Sequence, residues 1–277
     1  MNPILFITLT VVLFALVWSA IGLFMIWPGK KRLGMEKYRS VKFAHRGLHD
    51  SEKPENSISA FMAAKEKGFG IELDLHLSKD GELVVFHDDD LSRMVGKDGK
   101  ISDFTVDELT KMRLGTSRDT IPTFKEVLDL INGSVPLLVE LKVAIGEKGV
   151  VEKFVEVIDG YKGDFIVESF NPAALKDLKK LRPDILRGIL SAQYMKDPKY
   201  KGKFIYRLAQ NLQLNFLMRP DFIAYEKKGF GVENLRFIRR NFDTPLIAWT
   251  IKSPEEEAAA ISHGFDTVIF EGYIPGK

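Results

Sequence analysis

The chain has 277 residues, 45% of them hydrophobic, and a formal net charge of +2. That length suits a single α/β barrel with an appendage, and so small a charge gives no strong field toward nucleic acid, which is not expected as a partner. There is no cysteine, so disulfides and thiolate metal sites are excluded, while the compartment stays open.

Asn2 to Trp27 contains no charged side chain. About 20 apolar residues cross a bilayer as a helix, and this run has no polar face that a helix packed on a globular domain would show. Lys30, Lys31, Arg32, Lys37 and Arg39 follow it, and basic residues collect on the cytoplasmic side. A cleaved signal peptide would want positive side chains ahead of a shorter apolar core. Residues 1–27 therefore read as a single-pass anchor in the cell membrane, N-terminus outward, with Trp27 at the interface and the catalytic domain in the cytoplasm. Residues 28–40 read as a basic juxtamembrane linker, either resting on anionic lipid heads or solvated. Residues 41–277 read as one globular unit.

From Val41 onward, short apolar runs alternate with amphipathic ones. Strands are predicted to begin near 42, 71, 137, 164, 187, 221, 246 and 267. Between them lie helices over 58–68, 124–133, 146–161, 171–181, 204–216, 232–242 and 253–264, with 212–217 also able to extend as a strand. Asn56 or Ser57 can cap the first, and Ser253–Pro254 opens the last. Lys79–Asp80–Gly81 marks a hairpin turn, which would bring 82–88 back along 71–77. Residues 89–123 are less regular, with a short helix capped by Thr105. Eight strands alternating with helices predict a parallel sheet closed into a (β/α)8 TIM barrel.

In such barrels the chemistry sits at the C-terminal strand ends. Glu72 and Asp74 are two apart in the strand IELDLHL, so both carboxylates face one way. Side by side they repel unless a cation lies between them, and oxygen ligands suit a hard divalent metal, Mg2+ or Ca2+. His45 ends the first strand and His87 lies in the hairpin return; histidine gives or takes protons near neutral pH. Arg46 is a clamp for an anionic oxygen. Glu140 and Lys142 are again two apart on one strand face. Among the other histidines, His76 reads as packing or support, His49 as a loop residue and His263 as a helix C-terminal cation.

His45-Arg46-Gly47, Pro54-Glu55-Asn56 and the run 72–88, ELDLHLSKDGELVVFHD, closely resemble the glycerophosphodiester phosphodiesterase family, with 27 positions from His45 to Glu72 and 15 from Glu72 to His87. The resemblance implies Glu140 as third metal ligand beside Glu72 and Asp74, and Lys142 as a phosphate contact with Arg46. It implies His45 and His87 as the acid–base pair, with either role open to either. It places Glu55 and Asn56 along the site, ordering the His45–Arg46 turn, and Phe170 and Trp249 as apolar walls. The last strand departs from the family's Thr-Asp, reading Phe270-Glu271; the corner's shape, rather than the chemistry, is expected to differ.

The expected activity is hydrolysis of a small or lipid-derived glycerophosphodiester to sn-glycerol 3-phosphate and an alcohol. Lysophospholipid hydrolysis at the membrane and a catalytically silent anchored binding module are the alternatives; the complete histidine and acid set argues against the second.

Overall fold

The computed structural model describes residues 2–30, 33–144 and 146–276. Nine strands form one sheet: β1 (Phe43–Ala44), β2 (Gly70–Leu77), β3 (Leu83–Val85), β4 (Leu137–Leu141), β5 (Phe165–Ser169), β6 (Arg187–Ser191), β7 (Phe222–Glu226), β8 (Leu246–Ile251) and β9 (Thr267–Phe270). All but β3 run parallel, each beside the next, and β1 pairs with both β2 and β9, which closes the sheet. This is the TIM barrel, and its eight parallel strands begin within one residue of the sequence-based positions. β3 returns antiparallel along β2 through the expected turn, where Gly81 takes φ +83°, a left-handed conformation that costs glycine little.

Alternation along the strands splits the core. One set of side chains, including Ile71, Leu73, Leu137, Val139, Val167 and Ile223, packs outward under the helices. The other set, including Phe43, Leu138, Ile166, Phe222, Ile247 and Ile269, fills the lower barrel. Further along the same inward rows, two residues on, come His45, Glu140, Glu168, Trp249 and Glu271, with Asp74 level with Glu140 on β2. Polar chemistry thus begins where the apolar filling stops, at the C-terminal strand ends.

Two stretches differ from expectation. Residues 33–38 are not a solvated linker: they form a 3-10 helix whose Met35 and Tyr38 are buried against the barrel's lower filling. Lys37 pairs with Asp164, and Arg39 reaches Asp266 at 2.6 Å and Glu36 at 3.1 Å. Lys37 and Arg39, two of the five basic charges offered to lipid, are thereby paired with acids of the chain itself; Lys31 and Arg32 lie outside the described residues. The helix expected over 204–216 is interrupted, giving Phe204–Gln210 and Asn215–Met218. Between them Leu212 is buried at φ +59°, so its burial is achieved by a left-handed break rather than by continuing the helix.

The apolar N-terminal segment is a helix from Pro3 to Ile26, capped by the Asn2 side chain, and long and apolar enough to cross a membrane. Its body is exposed and its last turn docks on the barrel. Asn215 Nδ2 donates to Ile26 O at 3.1 Å, and Arg219 Nη1 donates to Phe24 O at 3.1 Å and Trp27 O at 2.9 Å. Carbonyls that a helix end leaves without partners are satisfied this way. The Trp27 ring packs on Phe242, 4.9 Å between centroids, so it meets protein as well as any interface.

Candidate active site

Register brings three acids abreast: Asp74 on β2 is level with Glu140 on β4, which is level with Glu168 on β5. Oxygens of Glu72, Asp74 and Glu140 lie within 4.8 Å of one another, and these residues are 2%, 1% and 6% exposed. Buried charges at that density need compensation. Lys142 supplies part, 3.0 Å from Asp74 Oδ1 and 2.9 Å from Glu140 Oε1, and Asn56 Nδ2 donates to Asp74 Oδ2 at 2.8 Å. Burial alone would raise Asp74, but Lys142, His87 and Arg46 outweigh it and hold that carboxyl far below its usual range. Burial, then repulsion from Asp74 and Glu140, pushes Glu72 well up. Burial raises Glu140 to about 7, Lys142 opposing. Three buried acids, of which Glu72 and Glu140 are pushed toward protonation by burial and then by acidic neighbours while Asp74 stays ionised, offer the oxygen donors that a hard divalent cation would take. Glu72, Asp74 and Glu140 are the residues that could hold one.

The β1 end turns sharply. Arg46 (φ +53°) and Gly47 (φ +82°) are both left-handed, and a Cβ on Gly47 would lie 2.9 Å from Ala60, so glycine is required there. The turn aims the Arg46 N–H at Glu72 Oε2, 2.8 Å away, and its guanidinium at Glu55 Oε1, 2.7 Å away. Asn56 follows, also left-handed (φ +55°); capping of the next helix falls to Ser57, which accepts from Ala60 N. Glu55 braces the Arg46 side chain, and the Asn56 N–H donates to Arg46 O at 2.9 Å while its side chain reaches Asp74.

Each candidate histidine carries a carboxylate on Nδ1. His45 lies 2.6 Å from Glu271 Oε2, and Lys252 reaches Glu271 Oε1 at 2.7 Å. His87 lies 2.7 Å from Asp88 Oδ1, and Arg93 reaches Asp88 Oδ2 at 2.6 Å. Arg93 also grips Glu55 at 2.6 and 2.9 Å, tying the two halves together. A carboxylate only accepts, so Nδ1 carries the hydrogen in both rings and Nε2 is left for chemistry. Burial lowers both histidines, with Glu271 partly offsetting this at His45 and Asp74 at His87. His76 supports the backbone, its Nε2 3.1 Å from His87 O. His49, expected in a loop, comes close to His45 and Glu271.

His45, Arg46, Glu72, His87, Glu140 and Lys142 line one cavity of about 280 Å³, walled by Phe170 and Trp249, whose rings meet edge to face at 5.5 Å. Of the site residues expected from sequence, these eight line the cavity, Asp74 lies beside Glu72 and Glu140, and Glu55 and Asn56 contact Arg46 and Asp74 from behind. Four others were missed. Glu271 is no mere corner residue: it holds His45. Asp88 and Arg93 hold His87, and the acid run after His87 was their only signal. Glu168, 1% exposed, is pushed well up by burial and then by Glu72 and Glu140; its signal was a lone acid inside an apolar strand.

A family model described as "Glycerophosphoryl diester phosphodiesterase family" matches residues 45–271. A glycerophosphodiester phosphodiesterase of Caldanaerobacter subterraneus is 33% identical over 245 residues, 83% of this chain and 93% of its own. Among solved structures, an Oleispira antarctica phosphodiesterase in complex with its product sn-glycerol-3-phosphate is 28% identical, with a TM-score of 0.70 over 84% of this chain and 94% of its own. The glycerophosphodiester phosphodiesterase of Thermotoga maritima is 30% identical, with a TM-score of 0.64 over 83% and 94%. This chain belongs to the glycerophosphoryl diester phosphodiesterase family and is an enzyme of phosphodiester hydrolysis.

Proposed function

We propose that this enzyme is anchored in the cell membrane and hydrolyses glycerophosphodiesters to sn-glycerol 3-phosphate and an alcohol, using a divalent metal and two histidines. The observation that carries the reading is that His45 and His87 line the same cavity as Glu72 and Glu140, beside Asp74. The product held by the Oleispira relative supports the substrate class.

Glu72, Asp74 and Glu140 are the proposed ligands of Mg2+ or Ca2+, which would supply a fixed positive charge against the phosphoryl oxygens. Arg46, braced by Glu55, and Lys142 bind and orient those oxygens from the protein side. One imidazole takes the proton of the attacking oxygen at Nε2, and the other delivers one from Nε2 to the leaving alkoxide. Asn56 keeps Asp74 aimed into the cavity, and Phe170 and Trp249 exclude water beside the glycerol or head group. The helix Pro3–Ile26, at ~1.5 Å per residue, is long enough for a single span. Its exposed length and the basic residues after it support an anchor with the barrel on the cytoplasmic side.

The test is release of glycerol 3-phosphate from glycerophosphocholine by full-length protein in detergent with Mg2+ or Ca2+. His45→Ala is expected to stop it; unchanged turnover in that variant overturns the two-histidine reading.

A further inference from the structure

A charged cleft lies at the other end of the barrel from the catalytic acids. It has a volume of about 440 Å³ and is lined by Lys30, Lys179, Arg187, Arg219, Asp221 and Trp27 among others. That volume falls within the ~300–1,000 Å³ of small-molecule sites. Arg187 is the first residue of β6 and Asp221 directly precedes β7, so the cleft sits at the N-terminal strand ends. It shares no lining residue with the catalytic cavity. Four cations meet one carboxylate there. They come from the segment after the apolar helix, the last turn of the helix Pro172–Leu181, the start of β6 and the turn before β7.

The carboxylate is already engaged. Asp221 Oδ2 accepts from Arg187 N at 3.0 Å and lies 3.7 Å from Arg187 Nη2. Lys30 and Lys179 make no ion pair among the described residues. Arg219 gives Nη1 to Phe24 O and Trp27 O, which leaves its Nε and Nη2 hydrogens for another acceptor. Burial, then Arg187, holds the Lys179 ammonium below its ordinary value, with Asp221 opposing. Like charges gathered in a half-buried cleft repel unless an anion lies among them. Phosphate oxygens suit such guanidinium and ammonium donors.

The apolar helix says where that phosphate comes from. Arg219 Cζ lies 4.6 Å from the ring centroid of Phe24, in the helix's last turn, and Trp27, 43% exposed, forms part of the cleft wall. Gly29 N donates to Pro220 O at 2.8 Å, which fixes this wall to the barrel. The cations thus cluster where the apolar span ends, at the level an interfacial tryptophan shares with lipid head groups. We infer that the cleft binds the phosphate of an anionic phospholipid, whose acyl chains lie along the exposed apolar helix. The inference rests on the membrane-anchor reading above. The cytoplasmic leaflet, on the barrel's proposed side, is the one that carries anionic lipid. A lipid held there steadies the barrel against the membrane without entering the catalytic cavity.

The test uses full-length protein in neutral detergent without divalent cation, titrated with dioleoyl phosphatidylglycerol or dioleoyl phosphatidylcholine, with bound lipid counted by native mass spectrometry. Phosphatidylglycerol is expected to saturate one site at least about tenfold more tightly than phosphatidylcholine. Lys30→Gln combined with Lys179→Gln is expected to weaken it about 30-fold, roughly fivefold per cation removed. Lys179→Arg, which keeps the charge, should retain binding, and so should Lys180→Gln, an equal charge change at a residue paired with Asp177. No preference for phosphatidylglycerol, or a preference that the double variant keeps, overturns the inference. Displacement of the lipid by millimolar inorganic phosphate would make the cleft a site for free phosphate and overturn the lipid assignment. Flotation with phosphatidylcholine vesicles at high salt tests the anchor separately. Protein that floats yet shows no lipid preference overturns this inference alone; protein that stays in the soluble fraction overturns both.

Discussion

His45 Nδ1 lies 2.6 Å from Glu271 Oε2, and the other oxygen of Glu271 is held by Lys252. This contact fixes the ring's tautomer and turns Nε2 to the cavity. The His45 hydrogen bond, followed by the cation of Lys252, holds Glu271 well below the usual carboxylate range against the effect of its partial burial. In return the carboxylate favours protonated His45, opposing the larger effect of burial.

Glu271→Gln removes that opposition. The His45 pKa is expected to drop further below its ordinary value, because an amide does not favour the imidazolium. The limb of the pH–rate profile that belongs to His45 then moves to lower pH, and kcat drops by about 10- to 100-fold while KM changes little. Profiles of kcat and kcat/KM for the two proteins check this; a limb that stays in place contradicts it. Whichever limb moves, acidic or alkaline, also assigns His45 as base or acid.

Arg93 is half-exposed yet braces both Asp88 and Glu55. Arg93→Ala is expected to lower kcat/KM by about tenfold with little change in Tm, since it loosens supporting contacts without opening a core cavity. Arg93→Lys should recover little of the loss, because an ammonium lacks the fork that spans two carboxylates. Full recovery in the lysine variant would show that charge alone suffices.

Divalent cation and stability are expected to be coupled at Glu72. Without divalent cation, Glu72→Gln is expected to be at least as stable as the native chain. It removes a carboxylate crowded by Asp74 and Glu140, and the amide oxygen can still accept from Arg46 N. With cation at about 100 times its Kd, the native chain should gain roughly 2.7 kcal/mol and the variant much less. Calorimetry with and without chelator measures the difference; equal gains would remove Glu72 from the metal site.

The barrel floor gives a further prediction. Met35 and Tyr38 are 2% and 3% exposed, and Tyr38 donates to Phe165 O at 3.1 Å. A chain begun at Val41 loses both side chains from the core, at about 2–5 kcal/mol each, while one begun at Pro28 keeps them. Urea midpoints of the two shortened chains should differ markedly in favour of the longer; equal midpoints would make residues 33–38 dispensable.

Sequence reveals what is periodic or local. Strand parity put Glu72 and Asp74 on one face, the family resemblance added Glu140, and the parallel register of the folded chain sets Asp74 level with Glu140. Contacts between distant residues are silent in that reading. Glu271 meets His45 across 226 positions, through closure of β9 onto β1, and a motif comparison sees only a departure at that place. Met35 and Tyr38 were hidden among lysines and arginines, where charge suggests solvent; burial of two neighbours on a short 3-10 helix has no periodic signature. The break at Leu212 is likewise local strain repaid by burial, which helical periodicity cannot register.

Asn215 and Arg219 bind the final carbonyls of the N-terminal helix directly to the barrel. Were that helix set in a bilayer as proposed, the catalytic mouth would have little freedom to swing on a tether and would be carried at a fixed height and tilt above the lipid. Encounters would then take place in a thin two-dimensional layer, where local abundance replaces bulk concentration. Cutting the two side chains back to alanine would return the mouth to random orientation without touching a single reacting group.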